Sequence, residues 1–177
     1  FFFQAEDGIR DYKVTGFRRV LFRSQANLQK GLLSKLIDGS GLDQSNPPLH
    51  NTNIQNAWWA SWTDPDHTAL TFDLGRVCVI TEMHIWNINT RSAHGKGWNQ
   101  GDTVRDAAKQ LHLAVSASTD GPWIDLGEIN LRTPAGDKPD PGERFIIGKS
   151  ARFVRLQFSR PHDTNILGLA EVKLFGK

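Results

Sequence analysis

The sequence predicts an all-β domain, either a sandwich or a barrel, built from about seven or eight short strands. Apolar and polar residues alternate through residues 69–75, 111–115 and 152–159, which is the period of a strand with one buried face. Clusters of Gly, Pro, Asn and Asp separate these runs, and no stretch has a helical period longer than a turn. Short strands with such punctuation are typical of sandwiches and barrels.

Residues 1–24 are set apart from this prediction because they resemble a translated sequencing adapter. Their first half reads as a thymine run followed by an indexing primer, and their second half reads as the rest of the primer in a slipped frame. We expect this segment to be non-native, and disordered or unreliable as a guide to the fold. The alternative interpretation is a basic arm that binds nucleic acid. Residues 25–177 then form one domain of ordinary size.

The charge of the remaining domain argues against polyanionic partners. Residues 1–24 hold five of the 21 basic and three of the 19 acidic residues, which leaves 16 of each and a net charge of zero. A neutral domain has no electrostatic footprint for nucleic acid or for an anionic membrane. No apolar run is long enough for a transmembrane helix. The single cysteine, Cys78, lies among apolar residues and is expected to be buried.

Two strands are predicted in the first half of the domain. Residues 69–75 alternate, and residues 77–89 are rich in β-branched and aromatic side chains, with a break expected near Thr81-Glu82. Residues 25–33 are weakly patterned and are interpreted as the end of an earlier strand. The long polar loops are residues 44–56, 90–108 and 133–142.

The second half holds the remaining strands. Residues 111–115 and 123–129 are predicted to pair, because Thr119-Asp120-Gly121 between them is a strong turn signal. Residues 152–159 alternate again, and residues 169–175 close the chain. The side chains expected to face inward are Leu70, Phe72, Leu74, Leu111, Leu113, Val115, Val154, Leu156 and Phe158.

The six tryptophans divide by their surroundings. Trp59, Trp86 and Trp123 stand in strand-like motifs and are expected in the core. Trp62 and Trp98 stand among polar, glycine and proline residues and are expected to be exposed. For Trp58 both placements stay open.

Seven short motifs together carry a family resemblance. In chain order they are Asp38-Gly39, Trp59-Ala60-Ser61, Asp73-Leu74-Gly75, Ile85-Trp86-Asn87, and the runs at 118–123, 151–156 and 168–172. This order resembles the F5/8 type C (discoidin-like) domains, and among them the bacterial carbohydrate-binding modules of family 32. The resemblance covers nearly all of residues 35–176. The long insertion at 90–108 and the lack of a terminal cysteine pair depart from it.

The resemblance implies both a fold and a function. The implied fold is an eight-stranded jelly-roll β-sandwich of the galactose-binding-like kind. The implied function is non-catalytic recognition of a glycan by a module tethered to a catalytic domain. We expect the parent protein to be bacterial and secreted or displayed at the cell surface, in the extracellular space or periplasm. We expect the module to be monomeric, with no nucleic-acid partner and no membrane insertion.

Residues 35–43 form an acidic loop punctuated by glycines, which suits a calcium ion. Calcium takes about six to eight oxygens from carboxylates and backbone carbonyls. The loop is not an EF-hand, because Asp43 replaces the glycine and Leu49 the glutamate of that pattern. The resemblance implies a structural Ca²⁺ held by Lys35, Asp38, Ser40, Asp43, Ala170 and Glu171. The alternative is a capped surface turn and a solvated glutamate.

Sugars are bound by an aromatic face and by planar hydrogen-bonding groups, and three loops supply these side chains. The resemblance suggests approximate matches at His67, Arg91, Asn99 and His162, although His162 stands where an aromatic residue is usual. The alternative for each histidine is a hydrogen bond within its own loop. The predicted ligand-binding residues are Trp62, His67, Arg91, His94, Trp98, Asn99, His162 and Asn165.

The sequence does not predict an enzyme. It has no Gly-x-Ser-x-Gly elbow and no His-Glu-x-x-His pair, and the run at 148–150 lacks the earlier glycine of a phosphate loop. The alternative function is an adhesion-type discoidin domain that binds protein or lipid. The loops carry isolated tryptophans among Asn, Asp, His and Gly, which favours sugars over a membrane.

Overall fold

The computed structural model describes residues 19–23, 32–61, 68–90, 106–161 and 166–177. Within these ranges more than half of the residues lie in strands, and the two helices are short 3-10 turns at Leu33–Leu36 and Ile54–Asn56. The all-β prediction is therefore confirmed. The strands are β1 (Arg19–Arg23), β2 (Trp58–Ser61), β3 (Ala69–Asn87), β4 (Ala108–Ser116), β5 (Ile124–Asn130), β6 (Glu143–Pro161) and β7 (Ile166–Gly176).

The strands are joined in one antiparallel hydrogen-bonded network. Its order is β2-β7-β3-β6-β4-β5, and β1 pairs with β3 outside this path. The first half of β3 lies beside β1, whereas its second half lies beside β7. Likewise the second half of β6 pairs with β4, whereas its first half pairs only with β3. The two longest strands thus pass from one layer of the sandwich to the other.

The passage between layers explains one difference from the prediction. The expected strands at 69–75 and 77–89 are one strand, β3, with register shifts between Asp73 and Cys78 and between Ile80 and Glu82. The second shift falls at the expected break. A glycine with a positive φ lies at each register shift. Gly75 of β3, with a φ of 81°, lies at the first shift, and Gly148 of β6, with a φ of 58°, lies opposite the second. Such punctuation looks like a strand end in the sequence, but here it bends a continuous strand.

The described residues form nine strand segments when β3 and β6 are each counted as two halves, and eight of them lie outside β1. β1 itself belongs to residues 1–24, and its backbone pairs with residues 69–73. The adapter origin of this segment stays a prediction.

The core lies between the two layers. Trp58 on β2 packs across it against Phe158 on β6, with ring centroids 6.0 Å apart. Cys78 is buried there as expected. All nine side chains predicted to face inward are buried, which confirms the period of these strands.

The tryptophans follow the prediction only in part. Trp86 is fully buried, as expected, and Trp58 is fully buried too. The predictions for Trp59 and Trp123 are wrong, because both side chains are only half-buried. Trp59 follows an inward residue and lies on the opposite face of β2, where it packs against a second buried cluster that includes Trp86 and Ile88. Trp123 lies under the guanidinium of Arg155, whose carbon is 3.6 Å from the ring centroid.

No helix in the described part of the chain is long and apolar enough to cross a membrane.

Candidate functional site

Residues 35–43 meet the C-terminal strand β7 at a buried carboxylate. The backbone N–H of Gly39 donates to Glu171 Oε1 at 3.1 Å and to Oε2 at 3.2 Å, across 132 residues of sequence. The Glu171 side chain is only 1% exposed, and Ala170 before it is fully buried. Buried carboxylates are costly unless they are paired or bind a metal. We call residues 35–43 together with Ala170 and Glu171 the clamp.

Asp38 is the second carboxylate of the clamp. Its Oδ1 accepts a hydrogen bond from the Ser40 N–H at 2.7 Å, and its Oδ2 lies 3.0 Å from Lys35 Nζ. Partial burial raises the pKa of Asp38, but the hydrogen bonds from Ser40 and Lys35 outweigh burial and leave the pKa below its usual value. The carboxylate is therefore ionised at neutral pH and available to a cation.

Asp43 makes different contacts. Its Oδ1 accepts hydrogen bonds from the backbone N–H groups of Ser45 and Leu49 at 3.0 and 2.8 Å, and from the Ser45 hydroxyl at 2.5 Å. These bonds, led by that from Leu49, lower the pKa of Asp43. The carboxylate oxygen thus caps the turn that follows it, which is the local role typical of aspartate.

The donor set of the clamp fits calcium in its chemistry. Two carboxylates, Asp38 and Glu171, bind the same short turn, and calcium completes its shell with backbone carbonyls. Among the described residues no group of three or more His, Cys, Asp or Glu side chains is placed to hold a metal. A site here would therefore depend on the carbonyls predicted for it, those of Lys35, Ser40 and Ala170.

A buried histidine, His50, lies beneath the clamp and was not predicted. It is 1% exposed, its Nδ1 donates to the Asn51 carbonyl at 2.8 Å, and burial lowers its pKa. A Cβ on Gly41 would lie 2.6 Å from its Nε2, and Gly41 has a φ of +88°. Only glycine fits there. The sequence signals Gly41 as a turn residue but gives no sign of the histidine that packs on it.

All predicted ligand-binding residues lie outside the described residues. They fall in three segments, residues 62–67, 91–105 and 162–165. The residues concerned are Trp62, His67, Arg91, His94, Trp98, Asn99, His162 and Asn165.

The described residues that flank these segments lie at one end of the sandwich. Ser61, the last residue of β2, pairs with Ile166, the first residue of β7. Ala108, the first residue of β4, pairs with Pro161, the last residue of β6. The Thr68 carbonyl, just before β3, accepts a hydrogen bond from the Phe158 N–H at 3.0 Å. We call these flanking positions, Ser61, Thr68, Ala108, Pro161 and Ile166, the loop end.

Two buried asparagines at the end of β3 fix the neighbouring backbone, and sequence reasoning missed their role. Asn87 Nδ2 donates to the Ala108 carbonyl at 2.7 Å, and its Oδ1 accepts from the Ala108 N–H at 2.9 Å. This pair closes the base of the excursion between β3 and β4. Asn89 similarly bonds the carbonyl of Lys138 and the N–H of Gly136 in the proline-rich loop. An Asn directly after the apolar run Ile85-Trp86 was the available signal.

The fold is shared with solved carbohydrate-binding modules. The match to the GH31 module CBM32-2, solved with bound GalNAc, covers 90% of this chain and 98% of that module at 18% identity, with a TM-score of 0.58. The match to a fucose-binding module of Streptococcus pneumoniae covers 93% of this chain and 95% of that module at 14% identity, with a TM-score of 0.58. The match to module CBM32-3 of a family 31 glycoside hydrolase from Clostridium perfringens covers 92% of this chain and 90% of that module at 13% identity, with a TM-score of 0.56.

These likenesses confirm the galactose-binding-like β-sandwich. No protein-family model matches the chain, and the search of curated proteins found no match.

Proposed function

We propose that this chain is a non-catalytic module that binds a glycan at the loop end. The observation that carries the proposal is the convergence of the flanking residues, since Ser61 pairs with Ile166 and Ala108 pairs with Pro161. The three segments between these flanks contain the tryptophans, histidines, arginine and asparagines that sugar recognition requires. In this proposal the three separate parts of the sequence together form one binding surface.

Each class of side chain has a distinct part in this proposal. Trp62 or Trp98 stacks the apolar face of its ring on the C–H face of a sugar ring. The indole N–H gives this ring one polar edge. Arg91 and Asn99 donate planar hydrogen bonds that fix the positions of hydroxyl groups. His67 and His162 add a donor or an acceptor, depending on the tautomer.

The structural neighbours support a small sugar as the ligand class. One of them is solved with GalNAc and another is named as a fucose-binding module. Their identities to this chain are low, so the sugar recognised here is part of the proposal. We also propose that the module is tethered to a catalytic domain in a secreted or cell-surface bacterial protein, as a third neighbour comes from a glycoside hydrolase.

We propose further that the clamp binds a structural Ca²⁺. Asp38 and Glu171 would hold it through carboxylates, and Lys35, Ser40 and Ala170 through their carbonyls. Asp43 also belongs to the predicted set, and because the bonds that cap the turn go to its Oδ1, Oδ2 would be the oxygen that it offers to the ion. Bound Ca²⁺ would supply charge neutralisation for the two carboxylates and no reaction chemistry.

A glycan array tests the proposed function directly. We expect the chain to be retained by a subset of immobilised glycans, with GalNAc- and fucose-terminated chains as the first to inspect. The parallel arm is a pull-down with phosphatidylcholine vesicles that contain phosphatidylserine. Capture by vesicles without retention on any glycan would contradict the proposal and favour the lipid-binding alternative.

A further inference from the structure

Lys35 places a cation inside the clamp. Its Nζ lies 3.0 Å from Asp38 Oδ2 and 3.1 Å from Ser40 Oγ. Asp38 lies two residues beyond the short helix Leu33–Leu36, and the turn that follows this helix brings the Asp38 carboxylate back to Lys35. The Lys35 and Asp38 side chains are 25% and 32% exposed, so the pair is partly screened by solvent.

The ammonium uses oxygens that a metal ion would also need. Asp38 belongs to the same turn whose Gly39 N–H bonds Glu171, and the Asp38 Oδ2 is already bound to Lys35. Calcium oxygens lie at about 2.3–2.6 Å from the ion, so an ammonium bound to the same carboxylate would face a divalent cation at close range. Like charges at such separation repel, and one cation must weaken the binding of the other.

We propose that Lys35 is an internal cation of the clamp that competes with Ca²⁺ for Asp38. The inference rests on the proposed calcium site. In the metal-free protein the Lys35 ammonium holds the acidic turn closed, and metal binding proceeds as an exchange in which the ammonium leaves Asp38. Lys35 thus acts in two opposite directions, since it stabilises the metal-free clamp and lowers its affinity for calcium.

This competition predicts opposite signs for two measurements on one variant. Lys35→Met keeps the length and apolar stem of the side chain but removes the charge. We expect it to bind Ca²⁺ about fivefold more tightly by isothermal titration calorimetry, because a partly exposed competing ion pair has been removed. We expect the melting temperature of the chelator-treated variant to fall by about 1–2 °C.

Matched controls separate this effect from general charge. Lys149→Met removes the same charge from an exposed position on β6 and should bind Ca²⁺ as the unmodified chain does. Lys35→Arg keeps the charge and should also retain the original affinity. A Lys35→Met affinity equal to or weaker than that of the unmodified chain would overturn the competition while leaving the calcium site standing. If neither the unmodified chain nor Lys35→Met binds Ca²⁺, both the competition and the calcium site are overturned. Glycan retention is tested separately on the array.

Discussion

The clamp and the loop end are served by the same strand but differ in what surrounds them. Ile166 begins β7 at the loop end, and Glu171 lies five residues further along, or about 16 Å, where it is 1% exposed. At the clamp, the buried Glu171 carboxylate is bonded to Gly39 across 132 residues of sequence. At the loop end, backbone pairs join the flanks of the three segments that we propose bind the glycan. In this proposal one strand contributes to stability at the clamp and to recognition at the loop end.

The largest effect should come from the buried carboxylate of the clamp. Glu171→Gln should lower the free energy of unfolding by about 3 kcal/mol, because it removes a buried charge from its partners. For a domain of this size that corresponds to a melting temperature about 6–12 °C lower. Differential scanning calorimetry measures it, with Glu128→Gln at an exposed position as the matched control.

The same scan with a chelator tests the metal at the clamp. Chelator should lower the melting temperature of the unmodified chain by several degrees, and Asp38→Ala should reproduce that loss. Chelator should add little in Glu171→Gln, whose site is already disabled. An unchanged melting curve for both the chelator-treated unmodified chain and Asp38→Ala would contradict the calcium proposal.

A glycine pair sharpens the account of what lies under the clamp. Gly41 and Gly127 both have a φ of +88°, but only at Gly41 would a Cβ meet another residue, at 2.6 Å from His50 Nε2. Gly41→Ala should therefore cost about 2–3 kcal/mol of unfolding free energy, and Gly127→Ala about 1 kcal/mol. Urea denaturation of the two variants gives the difference. Equal losses would show that His50 yields to the added methyl group.

Acid should weaken the fold through His84, which is 2% exposed and donates from Nε2 to the Pro141 carbonyl at 2.7 Å. Burial, partly offset by that hydrogen bond, lowers its pKa from 6.5 to about 4. Between these two pH values His84 is therefore protonated in the unfolded chain and neutral in the folded chain. The stability is fully present above the unfolded pKa and is lost as the pH falls through 6.5 towards 4.

The expected loss is about 1–2 kcal/mol between roughly pH 7 and pH 5. Urea midpoints across this range measure it. His84→Asn should reduce the slope, and His50, whose pKa burial also lowers, should carry the remainder. A slope unchanged by His84→Asn would assign the acid sensitivity to another group.

The sequence predicted the strands well where apolar and polar residues alternate and one face of the strand is buried. Leu70, Phe72, Val154 and Leu156 are buried because alternation is a local property of the backbone. For the adjacent Trp58 and Trp59 the residue type does not indicate which side chain faces the core. The pairing of Trp58 with Leu169 decides this. Gly75 was interpreted as the end of a strand because a bend and an end use the same residue type.

The clamp was accessible only through resemblance. No periodicity links Gly39 to Glu171, and the turn capped by Asp43 depends on Ser45 and Leu49, which local chemistry could have indicated. Asn87 and Asn89 were missed because their partners are backbone groups distant in sequence, and such partners leave no pattern. His50 was missed because its packing on Gly41 depends on the path of the loop between them.

The most direct test of the separation between clamp and loop end is one calorimetric comparison. The affinity of the glycan retained most strongly on the array is measured for the unmodified chain, Trp62→Ala, Trp98→Ala and Glu171→Gln, below all melting temperatures. The account predicts that at least one tryptophan variant loses about tenfold in affinity at unchanged stability, whereas Glu171→Gln binds as the unmodified chain does. Full affinity in both tryptophan variants, or its loss in folded Glu171→Gln, would contradict it.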